Sequence, residues 1–303
     1  MRSEDGQAPA ASPPQSDAQH SHNNDTRSRW WYLLAVCVAV LAIITLTSWT
    51  LHTSVTTSPN DTTLHPAPMQ DATIPAPMEV SEHQRAELPR ATTFDTITTA
   101  AAGTPSAKPT GTVIHPDRDT IGYATPGGGP NTVIPPGQFS SPTWLPVIDT
   151  QPEWVRVLLP TRPNNSSAWL YQPDPHLHEA HSPYRITVDR ARFTMQLTRD
   201  QHPAGRWRIG VGKPSSPTPS GWTFILADVR ETHPRFSRLI LPLGTHSNVY
   251  THYSDGPGTV GIHTWPNAHV YAASTSDGCI RIPPDALNQL ATQIPIGTPV
   301  LIK

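Results

Sequence analysis

Hydrophobic positions change their spacing three times along the chain. Residues 30–51 read WWYLLAVCVAVLAIITLTSWTL, an uncharged apolar run of 22 residues. About 20 apolar residues cross a bilayer as a helix. Trp30, Trp31 and Tyr32 at one end and Trp49 near the other suit the membrane interfaces. From 184 onward the period is two: Ile186 and Val188, Met195 and Leu197, Ile209 and Val211, Phe224 and Leu226, Leu239 and Leu241, Val260 and Ile262, Val300 and Ile302. That alternation predicts many short strands in a mostly antiparallel sheet system. One helix is predicted over 286–293, where Leu287, Leu290 and Ala291 share a face. Pro283, Pro284 and Asp285 suit its start, and Pro295 stops it. Between these regions, TWLPVIDT, EWVRVLLP and SSAWLYQPD are strand candidates. PGGGP at 126–130 and RPNNSS at 162–167 supply the turns.

Polar stretches divide the rest. Residues 1–29 hold few aliphatics and read as a disordered cytoplasmic tail. Arg27 and Arg29 precede the apolar run, and no Lys or Arg follows it until Arg85. The charge asymmetry therefore predicts an uncleaved signal-anchor, with everything after 51 outside the cytoplasm. Residues 52–110, rich in Pro, Thr and Ala, are expected to form an extracytoplasmic stalk, too poor in apolar surface to offset its ordering entropy. A connector over 175–183 carries His176, His178, Glu179 and His181. The spacing allows a metal, but a loop presets no ligand geometry, so a solvated linker is the expectation.

Composition narrows the classes. Proline makes up 36 of 303 residues, against a usual ~5%, which rules out one continuous core. A net charge of −2 lacks the basic excess of a nucleic-acid binder. The stretch from 185 to 303 is mildly basic, with 12 Lys+Arg against 7 Asp+Glu, which favours an anionic partner. Two cysteines exclude a disulfide scaffold and a multi-thiolate zinc site.

Cys37 lies in the apolar run, so Cys279 is the only thiol after it. An exported thiol without a partner is inert and buried, bridges to another chain, or is a nucleophile. A nucleophilic thiol needs a base within reach. His263 lies 16 residues upstream, in VGIHTW. A strand-borne histidine and a loop-borne cysteine can meet at a sheet edge. Gly278, directly before the cysteine, lets a substrate approach the backbone and leaves N–H groups for an oxyanion hole.

Two resemblances follow from these motifs. WVRVLLPTRPNNSSAWLY, within 111–174, resembles bacterial SH3-like domains; Trp154 and Trp169 either line a groove there or fill the barrel. Residues 184–303 resemble the L,D-transpeptidase catalytic domain of the YkuD type. Ile262-His263 and Ser276, Gly278, Cys279, Ile280 and Arg281 match its signature. Val211-Gly212-Lys213, Thr218-Pro219-Ser220-Gly221, Leu243-Gly244 and Gly297-Thr298-Pro299-Val300 match its flanking motifs. Asp277 stands where that family has a histidine, a departure that bears on thiolate stability, since a nearby anion raises a thiol pKa.

The resemblance implies a mostly β fold. The expected order is a transmembrane helix, a stalk, a small SH3-like barrel and a YkuD-type β-sandwich with one or two short helices. It also implies a membrane-anchored enzyme at the cell wall that acts on peptidoglycan stem peptides. Cys279 would form an acyl-enzyme, release D-alanine and pass the acyl group to an amine as a 3→3 crosslink. His263 is the implied base, Thr264 its backbone orienter, and Gly278 and Cys279 supply oxyanion N–H groups. Ser276 and Asp277 shape or contact the substrate side. Arg281 either meets a substrate carboxylate or holds a structural ion pair. No metal or other cofactor and no nucleic acid is implied. His246, His252 and His269 are expected to be bystanders. An L,D-carboxypeptidase of the same fold and a non-catalytic wall-binding scaffold are the alternatives.

Overall fold

Period-two alternation builds nearly everything in the computed structural model, which describes residues 74–102, 107–253 and 256–303. The tail at 1–29, the apolar run at 30–51 and the first part of the expected stalk lie outside the described residues. Among the described residues no helix is long and apolar enough to cross a membrane. The architecture is mostly β, and the α-helices among the described residues are Glu82–Glu87 (α1) and Pro284–Gln293 (α2).

Upstream, β1 (Thr112–Pro116), β2 (Thr120–Tyr123), β3 (Pro130–Ile134), β4 (Leu145–Gln151), β5 (Trp154–Leu158), β6 (Ser166–Tyr171) and β7 (Leu177–His181) form one sheet. Their order across it is β7-β1-β4-β5-β6-β2-β3, and Ala101–Ala102 also pairs with β6. Trp154 and Trp169 are buried with Ile121, Tyr123 and Val133, so both fill the core rather than line a groove. The expected connector is not a linker: β7 pairs along β1 from Leu177–Pro116 to His181–Thr112. His176 and His178 both hold Asp117, at 2.9 and 3.1 Å. Among the described residues no group of three His, Cys, Asp or Glu is placed to hold a metal.

The stalk reading does not hold from residue 74 on. Ser81 caps α1 with a reciprocal bond to Gln84. Ala91 and Ile97 are buried, and their N–H groups donate to Val133 O and Arg162 O at 2.7 and 2.8 Å. Proline removes donors but not acceptors. The carbonyls of Pro75 and Met78 accept the Trp154 indole N–H (2.8 Å) and the Tyr123 hydroxyl (3.0 Å). A few apolar side chains and well-placed carbonyls are enough to dock the segment on a sheet already formed.

The C-terminal part holds β8 (Tyr184–Asp189), β9 (Thr194–Arg199), β10 (His202–Arg208), β11 (Gly221–Phe224), β12 (Leu239–His246), β13 (Thr259–His263), β14 (Ile280–Arg281) and β15 (Pro299–Ile302). One sheet runs β10-β9-β8-β15-β11; another joins Val229–Arg230, β12, β13 and β14. Their inward positions form a single core, with Ile186, Val188, Met195, Leu197, Val260 and Ile262 against Leu287 and Leu290 of α2. A Pro at the first turn and Asp285 start α2 as the sequence predicts.

The two parts share apolar packing, since Phe224 and Leu226 join the upstream core of Ile114, Val157 and Leu170. Polar contacts reinforce it. The Asn164 amide donates to His246 O and accepts from His246 N, both at 2.8 Å. Arg162 donates to the carbonyls of Ser247 and Tyr250 at 3.0 and 3.1 Å. The RPNNSS turn thus serves as a joint.

Candidate active site

β13 and β14 run parallel, with Ile262 opposite Ile280 and His263 opposite Arg281. In parallel neighbours, paired residues face the same side and alternate along each strand. Val260, Ile262, Ile280 and Ile282 go inward and are fully buried. Gly261, His263, Cys279 and Arg281 therefore share the opposite side, and all four line one cleft of about 690 Å³. Alternation alone thus places the His263 imidazole and the Cys279 thiol on one face of the sheet. Gly261, having no side chain, leaves bare backbone beside the sulfur.

His263 is 5% exposed, and its Nδ1 donates to Thr264 O at 2.7 Å. That bond fixes the tautomer and leaves Nε2 as the acceptor. The Thr264 peptide is itself held, because Ser237 Oγ accepts from Thr264 N (3.1 Å) and from Thr264 Oγ1 (2.9 Å). Ser237 in turn donates to Leu239 O at 2.5 Å. Phe236 covers the imidazole, its ring 4.7 Å away, and Trp265 lies beside Phe236. Burial, with the Arg281 charge adding to it and the Thr264 bond opposing, lowers the His263 pKa to about 4.

Cys279 is a free, partly exposed thiol. Burial of the sulfur pushes its pKa up; a Gly261 backbone hydrogen bond and Arg281 work against that, and Asp277 adds to it. At neutral pH the resting pair is therefore thiol and neutral imidazole.

The turn before the cysteine is locked from four directions. Thr218 Oγ1 accepts from Gly212 N (2.9 Å) and donates to Gly278 O (2.7 Å). The Tyr253 hydroxyl donates to Asp277 O at 2.5 Å, and burial pushes that hydroxyl to about 12, so it stays a neutral donor. Ser276 Oγ donates to Cys279 O at 2.6 Å and accepts from Gly278 N at 3.2 Å. Lys213 Nζ lies 2.6 Å from Asp277 Oδ1 and holds that carboxyl below its usual range. Gly278 has φ +127°, and an added Cβ would meet the Tyr253 hydroxyl at 2.9 Å, so glycine is required there.

Two sequence expectations change on this geometry. The Gly278 N–H, assigned to the oxyanion hole, is already engaged by Ser276. Asp277 does not stand as an isolated anion beside the thiol, since Lys213 offsets its charge. Arg281 has no carboxylate partner among the described residues. Its guanidinium lies 4.0 Å from the Trp265 ring centre and donates to Thr275 Oγ1 at 3.1 Å, while its buried Nε is unpartnered. His246 lies at the joint between the two parts, not in the cleft.

The family description "L,D-transpeptidase catalytic domain", YkuD, matches residues 183–302. Those residues are a YkuD domain. Solved structures similar to the chain include an L,D-transpeptidase from Mycobacterium smegmatis, 15% identical, covering 50% of this chain and 90% of its own, with TM-score 0.33. The catalytic domain of an E. faecium L,D-transpeptidase is 24% identical over 40% of this chain and 96% of its own, TM-score 0.32. L,D-transpeptidase 3 from Mycobacterium tuberculosis is 15% identical over 53% and 73%, TM-score 0.35. No curated protein matches the chain.

Within the YkuD domain, Lys213 and Thr218 belong to flanking motifs whose work the sequence does not show. Their work is the lock on the cysteine turn. Phe236, Ser237 and Tyr253 give no signal in the sequence: HPRFSR and THYSDG carry no periodicity or motif that points to a site.

Proposed function

We propose that this chain is a membrane-anchored L,D-transpeptidase, with its catalytic part outside the cytoplasm, that joins peptidoglycan stem peptides 3→3 through Cys279. The observation that carries the reading is the His263 imidazole, with Nδ1 tied to Thr264 O and Nε2 left as acceptor, on the same strand face as Cys279. Nε2 takes the thiol proton as sulfur attacks the carbonyl of the third stem residue. A buried neutral imidazole suits this step, because it can accept a proton at every pH above about 4.

The Cys279 N–H meets the oxyanion in place of the engaged Gly278 N–H. Collapse of the tetrahedral adduct breaks the amide bond. The imidazolium returns its proton to the leaving D-alanine amine, and a thioester remains. An acceptor amine then attacks the thioester, His263 takes its proton, and Cys279 leaves as thiolate and is reprotonated. Arg281, stacked on Trp265 in the cleft lining and without a carboxylate partner among the described residues, fits a substrate carboxylate. The SH3-like resemblance of 111–174 and the anchor at 30–51 belong to the same proposal.

Product analysis with a stem tetrapeptide, with and without an acceptor stem, tests the reading. Crosslinked dimer with the acceptor is the expected product. Tripeptide alone under both conditions would make the protein a carboxypeptidase, and unchanged substrate would make it a scaffold.

A further inference from the structure

The cleft that holds Cys279 and His263 is not closed by the YkuD domain alone. Phe139, from the upstream part, lines it as well. The residue sits at the tip of a hairpin in which Gly137–Gln138 pairs with Ser141–Pro142. Phe139 and Ser140 both take left-handed backbone, with φ 51° and 55°. Such a conformation is unfavourable in a bulky residue and is held here by the tight two-residue turn of the hairpin.

Thr93 ties the hairpin to its surroundings. Its N–H donates to Gln138 Oε1 at 3.1 Å, and its hydroxyl lies 3.0 Å from His246 Nε2 and 2.5 Å from Thr259 Oγ1. Thr259 lines the cleft too. The hairpin is therefore keyed to the catalytic sheet through one buried threonine. Phe94, 62% exposed, places its ring 5.6 Å from that of Phe139 and extends the same apolar surface. Val229, Ile240, Pro242 and Pro257 are further apolar members of the lining.

We propose that Phe139, backed by Phe94, is a specificity-determining residue. It takes an aliphatic portion of the peptide that enters the cleft toward Cys279. This rests on the transpeptidase reading and deepens it: the upstream part supplies one wall of the substrate site. The occupant is argued from continuity, since the aromatic wall and the reactive thiol bound the same cavity. Its chemistry follows from the wall itself: the paired rings of Phe139 and Phe94 offer apolar surface that takes alkyl groups, while the charged members of the lining, Glu231, Arg235, Asp277 and Arg281 among them, are left for the polar parts of the peptide.

The test uses the full chain carrying Cys279→Ala, titrated with a synthetic stem tetrapeptide. Adding Phe139→Ala should weaken binding about ten-fold, the loss expected for half a buried aromatic ring. Phe139→Leu should restore most of it. Phe94→Ala, at an exposed position that folding does not need, should weaken binding about threefold. Alkylation of the Cys279 protein by iodoacetamide, too small to reach Phe139, reports whether the thiol site is intact. Unchanged affinity in both the Phe139→Ala and Phe94→Ala proteins would overturn the proposal and leave the transpeptidase reading standing. A tetrapeptide that fails to bind the Cys279→Ala parent, with the thiol still alkylated in the parent chain, would overturn both.

Discussion

At His263 burial sets the chemistry. Its lowered pKa, about 4, leaves the imidazole neutral across the ordinary range, while burial holds the Cys279 thiol protonated. Acylation of Cys279 by a strained lactam should therefore be nearly flat from about pH 5 to 8 and fall only as His263 protonates near pH 4. An intact-mass time course at several pH values checks this; a limb near the ordinary histidine value of ~6.5 would contradict it. Asp277 and Lys213 form an exposed pair, so breaking it should leave stability close to the parental value. The thiol should respond in opposite directions. Lys213→Ala unmasks the carboxylate and raises the Cys279 pKa, and Asp277→Asn lowers it. Thiolate absorbance against pH reads both, and a shift of the same sign in the two variants would refute the account. His263 and Cys279 were legible from sequence because each sits in a short motif. Ser237 was not, because its work is to hold a peptide that is distant in the chain.

The elements around the thiol act as one lock. Alternation in VGIH made β13 legible; β14, only Ile280–Arg281, was not, because two residues carry no period, and the face that His263 shares with Cys279 emerged with its pairing to β13. What spacing could not reveal is the bridge from Gly212 to Gly278 through one hydroxyl. Thr218→Val keeps the shape and removes that hydroxyl. It leaves a buried N–H and a buried carbonyl unpaired, a cost of about 1–3 kcal/mol. Acylation should slow by about tenfold or more as the cysteine turn loosens. Chemical denaturation and lactam acylation measure the two effects; a variant with parental stability and rate would show that the bridge is idle. The segment at 74–100 illustrates the opposite limit. Its apolar residues are too sparse for any period, and they acquire meaning only against β3 and the 162–165 loop.

Over the whole molecule, the two parts are joined at a second buried histidine. His246 Nε2 lies 2.8 Å from Thr93 O, its Nδ1 is unpartnered, and burial, with Arg162 nearby, lowers its pKa to about 4. Both His246 and His263 have folded pKa values below the unfolded value near 6.5. Between pH 6.5 and 4 the unfolded chain takes up protons that the folded chain refuses. Stability is therefore complete above about 6.5 and falls as pH drops toward 4, by up to about 3 kcal/mol per histidine. His246→Gln should remove about half of that slope, read from melting temperatures across the range. A flat profile in the parent protein would contradict the assignment. Strand content and catalytic motifs were legible at this scale. The dependence of the cleft on the upstream part was not, because Thr93, Phe139, Asn164 and His246 meet only after both sheets have formed.

Everything proposed for the cleft turns on acylation of Cys279 by a stem peptide with His263 as base. Incubating the protein with a stem tetrapeptide and no acceptor, then measuring intact mass and mapping the adduct, addresses it directly. The predicted result is a transient tripeptidyl thioester on Cys279, with D-alanine released, none in Cys279→Ala, and formation about 10²-fold slower in His263→Ala. An adduct on another residue, or turnover that persists in the folded Cys279→Ala protein, would contradict the account.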